Sequence, residues 1–133
     1  MVGAGFLALL AVAVSPGAFP SGLGAQAAPA PAQDSAAAAR ALEQTITEGR
    51  QIFHGAGTCF ACHGTKLEGT ALAPTLRAHK WKNGDGSLAA IYFIDTHGVA
   101  GTAMISHPGG ITDAQAKKVA TYVWAVSQGK VPP

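Results

Sequence analysis

Residues 59–63 read CFACH, and they use both cysteines of a 133-residue chain. Two cysteines three positions apart fall on one turn of backbone. A histidine follows directly, so three reactive side chains share one short arc. Three chemistries use such a group: a dithiol–disulfide pair, a metal site, or a porphyrin held covalently. Each needs a different fold around it, so the rest of the sequence decides among them.

The first thirty residues stand apart from any domain. MVGAGFLALLAVAV (1–14) is an apolar run too short to span a bilayer comfortably. Ala25-Gln26-Ala27 fits the small-residue pattern of a signal-peptidase site, although the segment before it carries no Lys or Arg. Residues 1–27 are therefore expected to be a signal peptide or, if retained, an apolar membrane anchor. Export, to a periplasm or its equivalent, is expected either way, with membrane contact only if the segment is kept. APAPAQD (28–34) reads as a semi-extended Ala/Pro linker. The folded domain is expected over 35–133.

Nine Lys plus Arg against seven Asp plus Glu give a mildly basic chain with no dense basic cluster, which argues against a nucleic-acid partner. A domain of about a hundred residues with many of the chain's 17 glycines buries only a modest core. A staple, a metal or a large buried cofactor would help hold it together.

The periodicities predict helices. SAAAARALEQTITEGRQIFH (35–54) is rich in helix formers, with Asp34 or Ser35 as N-cap. Leu42, Ile46, Gly49 and Phe53 share one face. Gly49 costs a helix about 1 kcal/mol against Ala, a cost that makes sense where another backbone comes close. Thr112-Asp113-Ala114-Gln115 fits a capping box, and Ala116, Val119, Val123 and Val126 form the stripe of a last helix that stops at Gly129. A glycine notch on one terminal helix and aromatics (Tyr122, Trp124) on the other suggest that the two cross. SLAAIYFIDT (87–96), capped by Asp85 or Ser87 and closed by Gly98, predicts a further helix, with a short strand as the alternative. Residues 64–86 and 98–111 read as loops. The class is all-α.

An all-α pattern lacks the βαβ setting of a thioredoxin-like dithiol. A zinc site would need two more ligands from His54, His63, His79, His97 and His107, and no H-x3–5-H pair follows the cysteines. C-x-x-C-H as a haem c attachment site accounts for the spacing. Each cysteine adds to a different vinyl group, and His63 is set over the iron. Such a group also supplies the missing core. Opposite His63, the candidate ligands are Met104, His79, His97 and His107. Met104, the only methionine besides the first, lies in the Gly-rich loop GVAGTAMISHPGG and is the favoured one; a gap-filling apolar side chain is its other reading.

Gly49, Phe53, CFACH, Pro74, Met104 and Tyr122 occur in an order that resembles a class I, bacterial-type mono-haem cytochrome c, over residues about 38 to 129. The resemblance implies the cytochrome c fold, about three to four helices with long loops around one covalent haem c. It implies helices crossing at Gly49 and Tyr122, and the Pro74 carbonyl set against the His63 ring N–H. In the family Pro often follows the ligand Met directly; here Ile105 does, and the nearest proline is Pro108. Arg77 and Trp81 are candidate propionate contacts, Tyr92 and Phe93 candidate pocket lining. Lys66, Arg77, Lys80 and Lys82 are a candidate cationic rim. The expected function is one-electron transfer with His63 and Met104 as axial ligands and Cys59 and Cys62 as attachment points. The partners would be a redox protein donor and acceptor, and the protein a monomeric carrier, not an enzyme. The alternatives are a dedicated haem subunit of a dehydrogenase or oxidase, and a five-coordinate haem with peroxidase or gas-binding activity.

Overall fold

A computed structural model describes residues 31–77 and 80–133. The expected signal or anchor at 1–27, the start of the linker and His79 lie outside the described residues. Four α-helices follow one another: α1 (Pro31–His54), α2 (Phe60–His63), α3 (Leu88–His97) and α4 (Asp113–Ser127), with a 3-10 turn at Pro108–Gly110 before the last. Among the described residues there is no strand, so the strand alternative for 87–96 is set aside.

Helix α1 begins at Pro31, not at Ser35, and so takes in the last four residues of the expected linker. Proline is well tolerated in a first turn, where its missing N–H has no partner to lose, and an alanine-rich run follows it. The other helix ends lie close to the capping signals. Ser87 Oγ accepts the Ala90 N–H at 3.1 Å at the start of α3, and Gly98 closes that helix. At α4, Thr112 Oγ1 accepts from the Gln115 N–H and Gln115 Oε1 accepts from the Thr112 N–H, so the capping box is complete.

Helices α1 and α4 cross at Gly49. A Cβ on Gly49 would overlap the Lys118 carbonyl oxygen and crowd Tyr122 Cβ, so only glycine lets the two backbones approach this closely. Beside the crossing, Glu48 and Lys118 pair at 2.5 Å. One turn on, the buried Phe53 and Tyr122 rings meet edge to face with centroids 5.8 Å apart. Arg50 lies over the outer side of the Tyr122 ring and donates to the Pro132 and Pro133 oxygens, tying the last residues to α1.

The predicted stripe of α1 is only half used. Gly49 and Phe53 are buried and Ile46 is half-buried, but Leu42 is 42% exposed. Helix α1 has 24 residues and α4 only 15, so the first turns of α1 run past the end of the partner that would cover them. The core is drawn from α1 (Phe53), the loop after α2 (Leu67), α3 (Ile91) and above all α4 (Val119, Ala120, Tyr122, Val123). Gly49→Val drives side-chain carbons into the α4 backbone and is expected to cost about 3 kcal/mol. That corresponds to a fall of roughly 12 °C or more in the melting temperature followed by circular dichroism; a fall of only a degree or two would mean that the crossing is loose.

Candidate functional site

The segment Thr58–His63 turns sharply off the end of α1. Gly57 N–H donates to the Ile52 carbonyl at 2.8 Å, and Thr58 takes a positive φ of 49°. Cys59 then opens the single turn α2, with its carbonyl accepting from the N–H groups of Cys62 and His63. This brings both sulfurs and the imidazole to the wall of one cavity of about 390 Å³, within the range of cofactor sites. Met104 also lines the cavity, and much of its wall is apolar: Phe53 from α1, Ile91 and Ile94 from α3, Val119 and Val123 from α4. Leu72 and Ile105 line the mouth while 71% and 63% exposed, so one edge faces solvent.

The imidazole of His63 is buried, and its Nδ1 is 2.9 Å from the Pro74 carbonyl oxygen. A carbonyl only accepts, so Nδ1 carries the proton and Nε2 keeps its lone pair. Burial lowers the proton affinity of the ring, and the Pro74 acceptor offsets part of that. The result is a neutral imidazole of fixed tautomer with a free donor nitrogen, the form that binds a metal. The loop holding Pro74 is pinned to the motif: Gly69 N–H donates to the His63 carbonyl, Thr70 Oγ1 to that of Cys62, and Thr75 Oγ1 to that of Leu67.

Burial also pushes the Cys59 thiol up to about 12, so it stays a neutral thiol. Neither cysteine is in a disulfide. Among the described residues no group of three or more His, Cys, Asp or Glu side chains is arranged to hold a metal ion.

Met104 is half-buried in a loop closed by Val99 N–H donating to the Met104 carbonyl at 2.8 Å. This loop abuts the turn before the motif. Gly109, at φ 67°, lies so close to the Ala56 carbonyl that a Cβ would overlap it. Of the competing histidines, His107 is turned away and sits 2.7 Å from Asp113 Oδ1, while His97 stacks on Phe93 at the surface. Neither lines the cavity.

Trp81 lines the cavity, and so do Lys80 and Lys82. Arg77 does not: its Nε donates to the Lys66 carbonyl, bracing the loop. Tyr92 and Phe93, expected as lining, are not in the wall, and Phe93 is 57% exposed. Helical periodicity gives the reason: Ile91, Ile94 and Asp95 occupy the inner face of α3, which turns residue 93 outward. Asp95 is a lining residue that helical periodicity alone does not single out. Its signal was an acid set directly after four apolar residues in IYFID.

The chain matches the cytochrome c family over residues 46–127. It belongs to the cytochrome c family. No curated protein and no solved structure matches it. It is of the class I type, helical, and its cofactor is one covalently attached haem c with iron. The donor set fits that group: two cysteine sulfurs outside any disulfide, one nitrogen and one thioether around an apolar cavity open along one edge. The mature protein is therefore expected to have the mass of its polypeptide, with or without residues 1–27, plus one haem. Cys59→Ala/Cys62→Ala, made by cells able to attach haem, should give the bare-chain mass; haem retained through denaturation in that variant would show attachment elsewhere.

Proposed function

We propose that this cytochrome c is a one-electron carrier in which His63 and Met104 are the axial ligands and Cys59 and Cys62 the thioether anchors. The observation that carries this reading is that His63, Met104 and both cysteines line one cavity, with the His63 tautomer fixed by Pro74. The haem supplies an iron that cycles between ferric and ferrous.

The chain's own residues set the terms of that cycle. His63 Nε2 and Met104 Sδ would both hold the iron, and with both bound no position would be left for a substrate. The soft thioether favours the reduced state, and so does the apolar wall of Phe53, Ile91, Val119 and Val123, which disfavours the extra positive charge of the oxidised one. The Pro74 and Met104 loops are hydrogen-bonded to the scaffold, so the ligands keep their positions in both states. Trp81 at the wall is suited to donate its indole N–H to a propionate; Arg77, occupied by the Lys66 carbonyl, is less so.

Electrons pass at the open edge, where Leu72 and Ile105 offer apolar contact to a redox protein partner and Lys80 and Lys82 add local charge. Two propionates would offset most of the formal +2, so long-range steering is weak. Among the described residues no helix is long and apolar enough to cross a membrane. Export to the periplasm follows from the reading of residues 1–27 as a signal.

Met104→Ala tests the assignment. The wild-type protein should show the thioether-to-ferric absorption band and resist carbon monoxide. The variant should lose the band, bind carbon monoxide at once, and drop in potential by at least about a tenth of the roughly 0.8 V that axial ligands span. An unchanged spectrum would remove Met104 from the iron, and a wild type that binds carbon monoxide readily would favour the five-coordinate alternative.

A further inference from the structure

One side chain in the cavity wall is at odds with the rest. Asp95, on α3, is only 7% exposed and lines the same cavity as His63 and Met104. Its Oδ2 is buried with no hydrogen-bond partner. Its neighbours on the inner face, Ile91 and Ile94, are apolar. A buried carboxylate without a partner is costly, and such a group persists in a cavity wall when its charge answers to what fills the cavity.

We propose that Asp95 is a proton-binding site coupled to the oxidation state of the iron, so that the protein takes up a proton as it takes up an electron. The inference rests on the haem reading above. One electron arrives from the reduced partner and one proton from hydronium in the surrounding water; an O–H bond of hydronium breaks as the O–H bond of the neutral Asp95 acid forms, leaving water. On oxidation the electron goes to the acceptor and the proton returns to water. The oxidised centre carries one more positive charge, which favours the carboxylate; the reduced centre favours the acid. Burial already holds the carboxyl up at about 7, where the small change between the two states moves its proton near neutral pH.

The charged and ionisable groups around Asp95 do not hold its charge instead. Cys59 faces it across the wall, as a neutral thiol that becomes a thioether. His63 in the same wall is tied to Pro74 through Nδ1. From the Met104 loop, His107 donates only its backbone N–H, to the Asp95 carbonyl oxygen at 2.7 Å, and its ring is taken by Asp113. On α4, Lys118 is paired with Glu48, while Lys117 and Asp113 are exposed; the Tyr122 hydroxyl is neutral and raised by burial. Lys80 and Lys82 line the cavity but are themselves exposed. On α3 itself, Tyr92 does not line the cavity, and His97 stacks on Phe93 outside.

Spectroelectrochemical titration of the holoprotein between about pH 5 and 9 tests the coupling. The reduction equilibrium constant should fall by about tenfold as pH rises across that range, about 59 mV for one electron. The sign follows from the proton: neutral Asp95 at low pH favours reduction, and its carboxylate at high pH favours the oxidised form. Asp95→Asn should remove most of the fall and leave only the part due to the propionates. A flat wild-type response, or an equal fall in Asp95→Asn, overturns the proposal while leaving a reversible haem couple in place; a colourless product sinks the haem reading instead.

Should Asp95→Asn fail to mature, the wild type carries the test through its reduced-minus-oxidised infrared spectrum near pH 7. With carboxyl-labelled aspartate, a protonated-acid carbonyl band that grows on reduction and shifts with the label belongs to Asp95, because Asp34, Asp85 and Asp113 are exposed and propionates are unlabelled. Absence of a label-sensitive band overturns the proposal.

Discussion

The close approach of α1 and α4 at Gly49 is the contact on which the site depends. It sets Phe53 on α1 against Tyr122 on α4, and it fixes the end of α1, from which the chain turns into the CFACH segment. Helix α4 also carries Val119 and Val123, the rear of the cavity. A small shift at the crossing would therefore move both the wall and the turn that bears the cysteines. Close-packed interiors transmit such a shift and do not absorb it.

On this scaffold two loops act as arms, and among the described residues neither has regular structure beyond a 3-10 turn. Their backbone polar groups must find partners in turns and side chains. The first arm does so against α2: the Pro74 carbonyl takes the His63 ring N–H, and threonines 70 and 75 cap carbonyls of residues 62 and 67. The second is held at both ends of the Met104 segment. Val99 bonds the Met104 carbonyl, His107 bonds Asp95 of α3, and Gly109 sits against Ala56. With no proline directly after Met104, these contacts do the work of restricting the loop.

Much of this was legible in the sequence because it rests on local rules. The helix caps at Ser87 and Thr112 are side-chain hydrogen bonds spanning three residues, and the Gly49 notch follows from the cost of glycine in a helix. What escaped was set by tertiary reach. Leu42 has the right periodicity but lies beyond the end of α4. Tyr92 and Phe93 do not line the cavity, and a helix with apolar residues on several sides does not reveal from sequence which side points inward; Asp95 marks the inner face. Gly109 looked like one more loop glycine, and only the fold shows the Ala56 carbonyl beside it.

The distribution of burial explains why the attachment motif and the fold need each other. Among the described residues the fully buried large side chains are Tyr122, Phe53, Leu67 and Val119, a thin set for a domain of this size. The cavity lies between them and the two arms, so the inner sides of Leu76, Val99 and Met104 look into the cavity. An apolar ring held there gives these side chains a surface to pack on when the chain is folded, a burial of apolar area that the unfolded chain does not offer. With the ring attached at Cys59 and Cys62 as proposed, it would stay with the chain in both states and its contribution would not depend on concentration. The residues proposed to tune the iron would thus also complete the core, so a change to the cavity wall is expected to register in stability and potential together.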